Sequence, residues 1–171
     1  MTILTQQDIK DYCANLNIPR SELSEFTIPN SVTKIDLFAF EECSSLTSII
    51  IPDSVTQIGE FAFRGCKSLK SVTISNNVTE IGKAAFQQCI ALTSITIPDS
   101  VTEIGIMAFA LCISLKSITI LDNVTKIGVN AFWGCESLRS IKIPYGVTKI
   151  GNEAFRECTA LTSITIPNNV T

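Results

Sequence analysis

The chain has 171 residues, 46% of them apolar and 17% charged, with 13 basic against 16 acidic side chains for a net charge of -3. That length allows one sizeable core or one repeat array, and the charge is too low for a self-repelling disordered chain. The slightly acidic balance argues against nucleic acid as a partner. The absence of histidine removes His-based triads, the common zinc sites and the usual general acid-base residue.

Residues 1–8 carry neither a basic n-region nor an apolar h-region, and no apolar run approaches the ~20 residues of a membrane helix. No signal peptide is visible and no membrane insertion is expected, which leaves a cytoplasmic location open. Residues 5–16 read as a helix: Thr5 with Asp8 makes a variant capping box, and Ile9, Tyr12, Cys13 and Leu16 share one face. Pro19 blocks its continuation. Residues 1–20 are therefore expected to form an N-terminal capping helix over the first coil of an array occupying 21–171.

From there a period of 23 residues dominates. Phe40, Phe63, Phe86, Phe109, Phe132 and Phe155 each follow an alanine, and Cys43, Cys66, Cys89, Cys112, Cys135 and Cys158 keep the same interval. Leucines run from Leu23 to Leu161, valines from Val32 to Val170, isoleucines from Ile35 to Ile150. Self-similarity at this spacing marks a solenoid. Each unit reads Leu-x-x-Ile-x-Ile-Pro-x-x-Val-x-x-Ile-Gly-x-x-Ala-Phe-x-x-Cys-x-x. In Leu92–Ile97, Ile95 and Ile97 alternate about Thr96 at the period of a strand, and Pro98 ends it. Val101–Ile104 is a shorter return leg, Gly105 allows a turn, and Ala108–Phe109 suits a helical turn with its ring inward. Stacked, the seven leucine legs are expected to form a parallel sheet at ~4.8 Å per rung. After six complete units a last strand stands without a C-terminal cap.

This signature resembles the BspA-like, Treponema-type leucine-rich repeat over residues 21–171. The departures are few: Asp36 for glycine, Phe26 for isoleucine, Ser75 and Leu121 for proline. The resemblance implies an α/β solenoid, a leucine-rich-repeat horseshoe of 23-residue repeats with a parallel β-sheet. It also implies a non-catalytic adhesin-like module at the cell surface or outside the cell, binding a protein or a glycan. An intracellular protein-interaction scaffold is the alternative, and an ice-binding surface of ordered threonines a distant third.

The chemistry-bearing residue types point the same way. Six cysteines occupy equivalent positions of stacked coils, so disulfide geometry is not expected, and no Cys-x-x-Cys pair exists for a metal. Each reads as a small buried hydrophobe, with Cys13 as the most exposed thiol. No phosphate loop, nucleophile elbow or carboxylate pair is present, and no cofactor is expected. Asn77, Asn123 and Asn169 match the N-glycosylation pattern, but as turn asparagines of the repeat.

Binding is then a property of positions outside the core columns. The outward positions of the leucine legs form a Ser/Thr carpet with the cations Lys70, Lys116, Arg139 and Lys142 against the single anion Glu25. That face favours an anionic partner. A second irregularity gathers Ile90, Ile106, Met107, Ala110, Leu111, Ile113, Val129 and Trp133 beside the Ala-Phe turns, where other units place charged or polar side chains. Trp133, Met107 and Leu111 are its candidate contact residues. At the end of the array, Ile164, Ile166 and Val170 are candidates for self-association into a homodimer.

Overall fold

The alternation and punctuation of each unit translate directly into local structure. The computed structural model describes residues 2–171, Met1 lying outside the described residues. Strand β1 (Thr2–Leu4) precedes helix α1 (Gln6–Asn15). Thr5 caps the helix: Asp8 N–H donates to Thr5 Oγ1 at 3.2 Å, and Thr5 N–H donates to Asp8 Oδ2 at 2.7 Å. The Thr5 hydroxyl, donating to Asp8 Oδ2 at 2.6 Å, and then the Thr5 N–H hold the Asp8 carboxyl below the usual carboxylate range. Ile9 and Cys13 enter the core, whereas Tyr12 and Leu16 stay exposed, Tyr12 edge-on to Phe26 at 4.9 Å. Cys13, expected to be the accessible thiol, is only 2% exposed. It sits one turn after Ile9 on the face that covers the first coil.

Beyond a 3₁₀ turn at Arg20–Glu22, the chain alternates return legs and leucine legs. In order, these are β2 (Val32–Ile35), β3 (Ser48–Ile51), β4 (Gln57–Ile58), β5 (Ser71–Ile74), β6 (Glu80–Ile81), β7 (Ser94–Ile97) and β8 (Glu103–Ile104). Then follow β9 (Ser117–Ile120), β10 (Lys126–Ile127), β11 (Ser140–Lys142), β12 (Lys149–Ile150) and β13 (Ser163–Thr165). The solenoid and its parallel pairing are as expected, but the continuous sheet lies on the other leg. The short return strands form seven unbroken rungs, β1-β2-β4-β6-β8-β10-β12, with β1 adding a rung the sequence did not announce. The leucine legs pair only two by two, β3 with β5, β7 with β9 and β11 with β13, and the Leu23 leg forms no strand.

The reason is a second period of two units. In the second member of each pair the turn after the strand carries an asparagine whose amide donates back to the first: Asn77 to the Asp53 carbonyl, Asn123 to Asp99 and Asn169 to Tyr145, at 2.7, 2.9 and 2.9 Å. Ser75 and Leu121, the two departures from proline, both stand in such second members. Ser75 uses its hydroxyl to donate to the Pro52 carbonyl. These asparagines are structural donors.

The Ala-Phe turns make a third ladder. In every coil two residues four apart take the left-handed conformation with φ between 53° and 72°: Phe38 and Glu42, Phe61 and Gly65, Ala84 and Gln88, Met107 and Leu111, Asn130 and Gly134, Glu153 and Glu157. Ten of the twelve are not glycine, at a cost of about 1 kcal/mol each. The flips aim alternate N–H groups along the stacking axis. Phe38, Phe40 and Glu42 donate to the carbonyls of Glu60, Ala62 and Arg64 in the next coil, and the intervening N–H groups close turns within the coil. Arg20, one period before Cys43, supplies the first turn with the equivalent donors, its guanidinium reaching the Ala39 and Glu41 carbonyls.

The interior is apolar, with no polar or charged residue buried among the described residues. The phenylalanines stack nearly parallel at 5.0 to 5.6 Å from Phe40 to Phe155. Each ladder thiol from Cys66 to Cys158 donates to the phenylalanine carbonyl of the preceding coil at 3.2 to 3.3 Å. The cysteines are therefore hydrogen-bonding members of the stack as well as small hydrophobes. Coils approach so closely at the glycine column that a Cβ on Gly105 would lie 2.7 Å from the Ile81 carbonyl oxygen. Asp36 is tolerated in that column because β1 ends beside it, its N–H donating to the Leu4 carbonyl.

Candidate binding surface

Three elongated faces result: leucine legs, return strands and Ala-Phe turns. On the leucine legs the first, second and fourth positions after leucine point outward and are exposed in every rung. Ser48, Ser71, Ser94, Ser117, Ser140 and Ser163 form one column, and Ile50, Thr73, Thr96, Thr119, Lys142 and Thr165 another. Between the two runs a shallow trough, lined in its middle by β5, β7 and β9.

Charge pairing differs between faces. All ion pairs among the described residues lie on the return strands and turns: Lys34–Asp36, Lys126–Glu103, Arg64–Glu41, and Arg156 with Glu153 and Glu157. Lys70, Lys116, Arg139 and Lys142 are exposed without an acidic partner among the described residues, as are Lys10, Lys67, Lys83 and Lys149 elsewhere on the surface. Hydroxyls divide less sharply, since Thr47 and Thr162 at the start of their leucine legs also donate one coil back. On the return face Thr56, Thr79, Thr125 and Thr148 donate to the threonine carbonyl one coil back at 3.1 to 3.4 Å. In the trough, Ser71, Thr73, Ser94, Thr96, Ser117 and Thr119 make no side-chain hydrogen bond among the described residues. The leucine-leg face thus offers free cations and free hydroxyls together.

The apolar patch beside the turns is partly dismantled by the ladder. Ala110 is fully buried, and Met107, Leu111 and Trp133 are half-buried. Met107 and Leu111 are two of the left-handed residues, and Leu111 lies over Gly134. The Trp133 carbonyl accepts from the Leu111 N–H at 2.7 Å, while its indole N–H is enclosed without a partner. Ile106, Ile113 and Val129 are the exposed remainder. At the last rungs, Ile164 and Ile166 are 37% and 47% exposed and Val170 is half-buried against the core.

One surface residue escaped sequence reasoning. Tyr145 is 81% exposed, on the turn after β11, where other units carry aspartate or asparagine. That substitution was the available signal.

The thiols are not reactive groups. Burial pushes Cys43 up to about 11 and Cys112 up to about 12, and raises the others in the same direction. All seven are free, and no cluster of metal-ligating side chains exists among the described residues. No helix is long and apolar enough to cross a membrane among them.

Comparison with known proteins agrees with this architecture. A family model described as the BspA type leucine rich repeat region matches six copies over residues 9–138 and 79–171. The crystal structure of a leucine-rich repeat protein of Treponema pallidum is similar at 32% identity and a TM-score of 0.78, covering 88% of this chain and 69% of that one. A leucine-rich repeat protein of Bacteroides ovatus is 35% identical with a TM-score of 0.62 over 81% of this chain. A leucine rich cell surface protein of Faecalibacterium prausnitzii is 40% identical with a TM-score of 0.56 over 81%. This chain spans only 42% and 31% of those two. No functionally curated protein matches it. With six matched copies that together span residues 9–171, the chain belongs to the BspA-type leucine-rich repeat family.

Proposed function

We propose that this chain is a non-catalytic binding module that takes an anionic protein or glycan on its leucine-leg face, in an adhesin-like role at a cell surface. The observation that carries the reading is a run of four unpaired cations on a face with a single anion. Lys70, Lys116, Arg139 and Lys142 stand free on the leucine legs, whose outward positions offer no carboxylate beyond Glu25, whereas Lys34, Arg64, Lys126 and Arg156 elsewhere are paired. Free like charges on a rigid sheet attract a counter-charged partner over about 8 Å at physiological salt, and lose it as salt rises. The test is retention of the full chain on an immobilised polyanion across a salt series, with the double variant Lys116→Glu/Arg139→Glu. Retention should fall with salt and vanish in the variant. Unchanged retention would remove this face from consideration.

Surface location is supported by the family and by the Faecalibacterium relative, a leucine rich cell surface protein. Immunolabelling of intact cells separates it from the intracellular scaffold. The exposed Ile106, with Met107, Leu111 and Trp133 beside it, forms a secondary contact patch. Ile164 and Ile166, with Val170, are the residues through which a second copy would pack. Light scattering across a dilution series of Ile166→Lys, compared with the parent, tests that homodimer.

A further inference from the structure

The anionic reading leaves the chemistry of the partner open, and rung six narrows it. Arg139, Ser140 and Lys142 belong to this leg, and the same leg ends in the turn Pro144-Tyr145-Gly146-Val147. The turn is rigid. Val147 N–H donates to the Pro144 carbonyl at 3.1 Å, Asn169 Nδ2 donates to the Tyr145 carbonyl at 2.9 Å, and a Cβ on Gly146 would meet the Asp122 carbonyl at 2.0 Å. Tyr145 is thus an exposed aromatic ring on a rigid backbone, with only its side-chain torsions to immobilise on binding. On the leucine legs N-terminal to rung six lies the trough walled by Ser71, Ser94 and Ser117 on one side and Thr73, Thr96 and Thr119 on the other. Their hydroxyls both donate and accept, and are unengaged. Lys70 and Lys116 flank it two rungs apart, ~9.6 Å at the spacing of parallel strands.

Resting on the binding reading above, we infer that the leucine-leg face binds a linear acidic polysaccharide, with Tyr145 and its neighbour on the same leg, Lys142, as the anchoring subsite. A pyranose ring presents a C–H face that stacks on an aromatic ring, hydroxyl edges that match a wall of hydroxyls, and a carboxylate or sulfate that seeks a free cation. An acidic peptide would use the cations but has no sugar face to lay on Tyr145. Charges two rungs apart suit a chain with one acidic sugar per disaccharide.

The experiment titrates the full chain with a hyaluronan oligosaccharide, which carries one carboxylate per disaccharide, and with a polyglutamate peptide of equal charge. Tyr145→Ser and Lys116→Glu/Arg139→Glu are compared with the parent. All three sites are exposed, and unchanged thermal melting verifies folding. Hyaluronan should bind more tightly than polyglutamate. Tyr145→Ser should weaken hyaluronan about tenfold, ~1.4 kcal/mol, and leave polyglutamate unchanged, while the charge-reversal pair abolishes both. Equal binding of the two polyanions, or a Tyr145→Ser variant with parental hyaluronan affinity, overturns the glycan assignment and leaves the anionic face standing. Failure of both polyanions to bind at low salt overturns both.

Discussion

Replacing Phe86 by alanine probes the column that joins the coils. Phe86 is fully buried, and its ring stacks on Phe63 at 5.2 Å and Phe109 at 5.4 Å with interplanar angles of 2° and 5°. A buried Phe→Ala change costs ~3–5 kcal/mol, of which each stacked pair supplies about 0.5–1.5. Phe155 is half-buried and stacks only on Phe132, at 5.5 Å. Phe155→Ala should therefore cost about half as much, roughly 2 kcal/mol. At ~2–4 °C per kcal/mol for a chain of this size, the melting temperature should fall by roughly 6–20 °C in the first variant and 4–8 °C in the second. Because neighbouring coils carry the coupling in a solenoid, Phe86→Ala should also broaden the urea transition. The assay is urea unfolding followed by circular dichroism and by the fluorescence of Trp133, the single tryptophan. Equal losses in the two variants, or a loss under ~1 kcal/mol for Phe86→Ala, would refute the view that the ring column is the coil-to-coil coupling.

Gly105→Ala should cost more than ~2 kcal/mol by forcing two backbones apart, whereas Asp36→Gly, in the same column, should cost only ~0.5–1 kcal/mol from lost backbone restraint. Chemical denaturation of both distinguishes a packing requirement from a conformational one. Arg20→Met strips donors from the Ala39 and Glu41 carbonyls, and should cost ~2–3 kcal/mol. Hydrogen exchange should show the loss in α1 and the first turn, with later coils protected; uniform loss would contradict the capping role. A thiol reagent should find no fast-reacting cysteine in the native chain and seven in denaturant. Folded thiols raised to about 11 and about 12 make stability level below pH 9.0, the unfolded value. It should decline as pH climbs from there toward the folded values, because the unfolded chain ionises first. A stability maximum above pH 9 would contradict the burial of the ladder.

The 23-residue period, the columns that enter the core and the solenoid itself were legible in the residues, because equivalent positions in stacked coils meet the same environment. A hydrophobic column needs only that repetition to be recognised, and the capping box at Thr5 needs only local spacing. What periodicity cannot encode is the direction of a carbonyl or the partner of a charge. Which leg carries the unbroken sheet was decided by coil-to-coil hydrogen bonds, and the two-unit rhythm by asparagines reaching back one coil. The left-handed turns leave almost no trace in composition, since ten non-glycine residues accept the strain in return for donors aimed along the axis. Cys13 is buried because β1 and α1 close over the first coil, an arrangement between segments about thirty residues apart. The cations of the leucine legs were visible as letters. Their lack of ion pairs, and the rigid turn that holds Tyr145 in solvent beside them, exist only once the coils are stacked.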